Sequence, residues 1–197
     1  MASREGTAKQ VSVLVAEDEA IIRLDLRRQL EEAGYAVCGE ARDGDEAVEL
    51  ARSLRPDLAI LDVKMPVLDG IDAARSILAD RPIPIVLLTA YSDPKLVRRA
   101  ADAGVFAYLV KPFRGSDLMP AIETAIARHE EMQALREETH SLAEALAARK
   151  AIERAKGLLM EREGLTEADA FARLRRASQI SGQPLKAIAE AVVAALS

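Results

Sequence analysis

The chain has 197 residues, half of them hydrophobic, with three Phe, three Tyr, no Trp and a formal net charge of −5. That length holds one ordinary domain and a smaller second one, while the scarcity of aromatics disfavours a large aromatic ligand pocket or a base-stacking platform. Cys38 is the only cysteine, which excludes a disulfide framework or a multi-cysteine zinc site, and no apolar run resembles a signal peptide or a membrane span of roughly 20 residues, so a cytoplasmic protein without membrane contact is expected.

Residues 1–10 are polar and are expected to be disordered. Short apolar runs then alternate with amphipathic helical segments. Val11–Ala16 reads as a strand, and Ile22, Leu26, Leu30 and Ala33 follow at helical spacing. Ala36–Ala41 is strand-like, and Ala47, Val48, Ala51 and Leu54 line a helix. Leu58–Leu61 is a third strand, followed by a helix across Ile71–Ala79. Ile83–Leu88 is a fourth, and Asp93-Pro94 starts the next helix with an N-cap and a first-turn proline. Gly104 ends that helix, and Val105–Val110 is the fifth strand. Continuous apolar strands joined by helices mean a parallel sheet covered on both faces. The expectation for residues 11–127 is an α/β, flavodoxin-like, doubly wound domain with five parallel strands.

Beyond the fifth helix the pattern changes. Residues 128–148 contain no Gly or Pro, and Met132, Leu135, Thr139, Leu142 and Leu146 fall at 3-4-3-4 spacing, a short heptad seam. It predicts one long linker helix that either packs on its own chain or pairs with a second copy as a homodimer. Residues 149–197 read as a small all-α bundle of three helical segments. Gly164 ends the first. Thr166 and Asp169 cap the second, along which Phe171, Leu174 and Ala177 form a stripe, and Gly182 ends it. The third carries Leu185, Ile188, Ala189, Val192 and Leu196 on one face. In the first, RAKGLLMEREG (154–164), Leu159 joins Ile152 and Ala155 in a buried stripe that leaves Lys156 off it. Gly157 costs about 1 kcal/mol relative to Ala inside a helix, and close approach of another helix is the usual reason for it.

Residues 128–197 hold 11 basic and 11 acidic side chains, so the −5 lies entirely in residues 1–127, with 16 against 21. Within 149–176 the balance is 8 basic to 5 acidic, a local +3, which points any anionic partner to the C-terminal part.

Polar residues interrupt the apolar strands at one end. Glu17 and Asp18 follow strand one, Asp62 ends strand three, Thr89 ends strand four and Lys111 follows strand five. These are carboxyl ends of parallel strands, where open α/β sheets bind ligands. Three converging carboxylates raise one another's pKa unless a cation intervenes, and a hard divalent ion with oxygen ligands, Mg²⁺ by preference, removes the conflict. With a Thr hydroxyl and a Lys ammonium nearby, such a site neutralises phosphoryl oxygens. The chemistry implied is phosphoryl transfer onto an aspartate.

VAEDE (15–19), LDVKMPVLDG (61–70), TAY (89–91) and YLVKPF (108–113) resemble the receiver domain of two-component response regulators, with every motif in order from residue 11 to about 127. The resemblance implies a switch rather than an enzyme, phosphorylated by a histidine kinase and slowly hydrolysing its own acyl phosphate. It makes Asp62 the phosphoacceptor. Asp18, Asp62 and the backbone carbonyl of Lys64 would ligate Mg²⁺, with Glu17 contributing directly or through water; many receivers have Asp-Asp where this chain has Glu17-Asp18. Thr89 and Lys111 would bind the phosphoryl group, Tyr108 would report the state of Thr89, and Lys64 and Tyr91 would tune phosphoryl lifetime.

RKAIERAKGLLMEREGLTEADAFARLRRAS (149–178) resembles the ANTAR domain, an RNA-binding antiterminator module often fused to receivers, through Ala155, Lys156, Gly157, Leu159, Met160, Ala170, Leu174, Arg175, Ala177 and Ser178. This implies that phosphorylation favours a dimer or exposes the domain, which binds paired RNA hairpins and so prevents a terminator from forming or alters translation nearby, with transcription antitermination as the output. The cations available to RNA are Arg149, Lys150, Arg154, Lys156, Arg162, Arg173, Arg175 and Arg176, and the lack of aromatics argues against stacking as the main source of affinity. Two rival outputs are a protein-interaction module and a DNA-binding regulator. The latter rests on ISGQPLKAIAEAV (180–192), whose would-be recognition helix offers only Lys186 and Glu190 as charges.

Overall fold

The computed structural model describes residues 10–90, 94–105 and 107–196; the expectations for residues 1–9, for Tyr91 and for the Asp93 cap lie outside these. The chain divides into two compact units between Met132 and Gln133.

The N-terminal unit holds β1 (Ser12–Ala16), α1 (Ala20–Glu32), β2 (Ala36–Ala41), α2 (Gly44–Leu54), β3 (Leu58–Asp62), α3 (Gly70–Asp80), β4 (Ile85–Thr89), α4 (Pro94–Asp102), β5 (Ala107–Val110) and the start of α5 (Gly115–Glu163). The strands form one parallel sheet in the order β2-β1-β3-β4-β5. Side chains alternate between sheet faces, and two cores follow from that. Leu14, Ala16, Ala59, Leu61, Ile85 and Leu87 pack with α2, α3 and α4. Val13, Val15, Leu58, Ile60, Val86 and Leu88 pack with Leu26 and Leu30 of α1 and Leu118 and Ile122 of α5. Because both faces are covered, the strands can be apolar throughout, which is the doubly wound arrangement expected from the runs.

Helix α5 differs from the expected set of separate segments. It runs through both expected boundaries of the linker, and its last turns belong to the C-terminal bundle. Ile152, Ala155 and Leu159 of α5 pack there with Ala170 and Leu174 of α6 (Glu167–Ser181) and with Leu185, Ile188, Ala189, Val192 and Leu196 of α7 (Leu185–Leu196). Thr166 caps α6 by accepting from the Asp169 amide at 3.2 Å, and Gly182 closes it at φ 68°. On the heptad seam, Leu135, Leu142 and Leu146 are 56%, 64% and 55% exposed, and Met132 is half-buried. Three further expectations fail within the bundle. Phe171 is 40% exposed instead of lying in the stripe with Leu174, Lys156 is only 8% exposed instead of standing off the core, and a Cβ on Gly157 would meet nothing within 4 Å.

Candidate functional site

Hydrogen bonding at the carboxyl ends of the strands sets the positions of the polar groups. The Glu17 amide donates to Ala41 O at 3.1 Å, fixing the chain as it leaves β1 beside β2, and Arg23 Nη1 donates to Glu17 O at 2.5 Å. The Val63 amide donates to Leu88 O at 2.8 Å, and the Lys111 amide to Thr89 O at 2.7 Å. Asp62 and Thr89 thus end adjacent strands, and Lys111, just past β5, is bonded to Thr89 itself. After Asp62 the chain turns back closely. The Gly70 amide donates to Val63 O at 3.1 Å, and a Cβ at Gly70 would fall 1.9 Å from Asp62 O. Only glycine fits. Asp69 then caps α3, accepting from the Ile71 and Asp72 amides at 3.0 and 2.9 Å, and its other oxygen accepts from Arg99 of α4 at 2.8 Å.

Glu17, Asp18 and Asp62 each offer a carboxylate oxygen, all within 4.8 Å of one another. Glu17, Asp62 and Thr89 are buried, whereas Asp18 faces solvent. Lys111 Nζ lies 2.6 Å from Glu17 Oε2 and 2.9 Å from Asp62 Oδ1. Three carboxylates against one ammonium leave a formal −2 in the cluster. Burial pushes the Glu17 carboxyl up, and the Asp62 charge adds to it against the hydrogen bond from Lys111. Burial likewise raises Asp62, with Asp18 adding to it and Lys111 and the Lys64 backbone amide opposing. Burial pulls the Lys111 ammonium down, but its hydrogen bonds to Glu17 and Asp62 prevail and hold it above its ordinary value. Oxygen-only donors with unrelieved negative charge suit a hard divalent cation.

Tyr108 is half exposed. With Thr89, Leu87, Val97 and Ala100 it lines a void of about 20 Å³ between β4, β5 and α4, no larger than one water molecule needs. The structure brings the expected Glu17, Asp18, Asp62 and Lys111 together and sets Thr89 and Tyr108 around one void; the sequence reading gave no role to Arg23, Asp69, Gly70 or Arg99. The Asp-Gly pair at 69–70 was the available signal, since a capping side chain followed by a Cβ-less first helical residue marks a tight turn into a helix.

In the C-terminal unit the candidate cations divide into two groups. Arg149, Lys150, Arg154, Arg162, Arg175 and Arg176 are exposed and have no ion-pair partner among the described residues. Arg173 is paired with Glu163. Lys156 donates to Glu167 Oε1 at 2.6 Å and Glu153 Oε1 at 3.0 Å, bonds that raise its pKa, Glu167 first. On α7, Lys186 lies 3.9 Å from Glu190, so the two charges of the supposed DNA-reading helix largely cancel.

Comparison with known proteins matches residues 13–123 to the response regulator receiver domain and residues 140–193 to the ANTAR domain. The chain is 55% identical over 184 residues to the transcriptional regulatory protein PdtaR of Mycobacterium tuberculosis, covering 93% of this chain and 90% of that protein. It is 38% identical over 111 residues to the chemotaxis protein CheY of Thermotoga maritima, which covers 56% of this chain and 92% of that one. Among solved structures, the signal receiver domain of a modulated diguanylate cyclase from Desulfovibrio desulfuricans superposes with a TM-score of 0.58 at 36% identity, covering 62% of this chain and 98% of that one.

Proposed function

The chain belongs to the response regulators that join a receiver to an ANTAR domain, signalling proteins rather than enzymes, and from that membership we propose that Asp62 is its phosphoacceptor and the C-terminal bundle its RNA-binding output. The observation that carries the first part is the convergence of Glu17, Asp18 and Asp62 on one point, with Lys111 bonded to two of them.

Asp62 attacks the phosphorus of a phosphohistidine on a histidine kinase. A carboxylate O–P bond forms, the P–N bond breaks, and the imidazole nitrogen leaves with the electron pair and takes a proton. Glu17, Asp18, Asp62 and the Lys64 carbonyl would hold Mg²⁺, whose charge offsets that of the phosphoryl oxygens. Lys111 and Thr89 bind those oxygens directly, Lys111 exchanging part of its bond to Asp62 for one to the phosphoryl group. Thr89 moves toward that group, and Tyr108 follows into the space beside it. Lys64 and, by sequence position, Tyr91 tune how long the acyl phosphate survives.

The output is antitermination through RNA hairpins. Arg149, Lys150, Arg154, Arg162, Arg175 and Arg176 supply contacts to phosphate, while Lys156 and Arg173 act first through their carboxylate partners. The exposed leucines at 135, 142 and 146 pair two copies along 128–148, and phosphorylation favours that homodimer.

The test is binding of the purified chain to two-hairpin RNAs, with and without acetyl phosphate and Mg²⁺, at two salt concentrations. Salt-sensitive binding that strengthens on phosphorylation, and does not strengthen in Asp62→Ala, is the expected result. Binding to no RNA by a chain shown to be phosphorylated would move the output to a protein partner.

A further inference from the structure

Phe171 is the only aromatic residue in the C-terminal unit, and the core does not take it. Ala170 and Leu174, its neighbours on α6, are buried between the helices, whereas Phe171 is turned outward. There it lines an open hollow of about 490 Å³ with Lys156, Glu167 and Ala168. The bundle core is small and built largely from Ala and Leu, so leaving its largest apolar side chain outside forgoes burial that the fold could use.

The polar wall of the hollow is only partly occupied. Lys156 uses two of its three N–H donors, on Glu167 Oε1 and Glu153 Oε1. Its stem is covered by neighbouring side chains, in a unit too small to have a deep interior. Glu167 binds Lys156 through Oε1 and keeps Oε2 for another donor. An aromatic face, a donor and an acceptor therefore line one hollow together with the small side chain of Ala168.

We propose that this hollow receives an unpaired base from the loop of an RNA hairpin, stacked on Phe171 with its polar edge between Lys156 and Glu167. The proposal rests on the RNA-binding reading of the ANTAR unit and deepens it. A phosphate does not suit the hollow, because Glu153 and Glu167 flank the ammonium and would repel it. An apolar knob from a protein would strand the spare Lys156 donor and the Glu167 oxygen without partners. A neutral heteroaromatic base satisfies all three groups. Arg175, one turn along α6 and without an ion-pair partner among the described residues, supplies a phosphate contact beside it. The hollow thus reads an unpaired base, and the surrounding arginines hold the backbone.

The experiment uses the full chain, phosphorylated with acetyl phosphate and Mg²⁺, and a pool of two-hairpin RNAs with randomised loops. The RNA it enriches is then measured against wild type, Phe171→Leu and Phe171→Tyr over a salt series. Thermal melts confirm that each variant is folded. Stacking by one base is lost in Phe171→Leu, so affinity falls about tenfold to a hundredfold, while Phe171→Tyr keeps it. The salt slope of Phe171→Leu stays that of wild type, since no phosphate contact is removed. An abasic substitution at one loop position weakens wild type by a similar factor and Phe171→Leu by little more. Equal affinity of Phe171→Leu and wild type overturns the proposal while leaving RNA binding intact, as does a loss accompanied by a shallower salt slope. Failure of wild type to enrich any RNA overturns the RNA-binding reading and the proposal together.

Discussion

Lys111 Nζ lies 2.6 Å from Glu17 Oε2, and this contact ties the loop after β5 to the loop after β1 across the whole width of the site. Glu17 is wholly buried and its other electrostatic neighbour is Asp62, which repels it. Replacing Lys111 with Met therefore leaves a buried carboxylate without its cation. Removing one partner of such a pair costs about 3 kcal/mol or more. Urea unfolding in EDTA should show that loss for Lys111→Met. Added Mg²⁺ should recover more stability in the variant than in wild type, because the cluster then has no other cation. An equal Mg²⁺ effect in both proteins would mean that Lys111 and the ion do not answer the same charge.

The same carboxylates set a pH dependence. Glu17 and Asp62 both titrate above their ordinary values in the folded chain. A carboxyl raised on folding contributes stability that is present below its unfolded pKa and lost as pH rises through the folded one. Without Mg²⁺ this pair should therefore favour the folded receiver more at pH 4 than at neutral pH, against Asp25 and Asp69, whose lowered pKa values act the other way. Asp62→Asn removes one of the two groups and should stabilise the Mg²⁺-free chain at pH 7 by about 1 kcal/mol. Urea midpoints from pH 4 to 8 in EDTA check both statements. A midpoint for Asp62→Asn below that of wild type at pH 7 would refute them.

Much of this site was legible because it is built from sequence-local rules. An apolar run that stops at Asp62 or Thr89 marks a strand end, and parallel topology gathers strand ends at one edge. The links between elements were not legible. Nothing in the spacing of Asp69 and Arg99 says that α4 is tied to the α3 cap, since they lie 30 residues apart and meet only in three dimensions. The C-terminal bundle misled for a related reason. Its helical periodicity placed Phe171 and Leu174 on one stripe, but the bundle core takes in Ala170 and Leu174 and leaves Phe171 out. Lys156 went the other way, drawn in by carboxylates from its own helix and from α6.

Gly157 gives a prediction with an unusual sign. Helical glycines are commonly explained by close packing, yet a methyl here would meet nothing within 4 Å, and the backbone is helical. Ala is better than Gly in a helix interior by about 1 kcal/mol. Gly157→Ala should therefore raise stability of the C-terminal unit by up to that amount, seen as a higher urea midpoint for helix loss by circular dichroism. A destabilised variant would mean that another surface approaches this turn in solution.

The exposed seam of α5 gives the last prediction. Leu135, Leu142 and Leu146 are each more than half exposed, and their separations of seven and four residues set them along one stripe of a helix. Single exposed leucines need no explanation, but a stripe of them on a polar helix does. Two copies brought together along 128–148 would bury all three at once. Each buried leucine contributes about 2 kcal/mol relative to its exposed state, so one substitution should be enough to shift a weak association. Leu142→Lys should reduce the sedimentation coefficient of the phosphorylated chain to that of a monomer while leaving phosphorylation of Asp62 unchanged. It should also weaken binding to two-hairpin RNA more than binding to a single hairpin, because only a dimer presents two bundles to one RNA. Unchanged sedimentation of Leu142→Lys, in a wild-type chain that does dimerise, would place the dimer contact elsewhere.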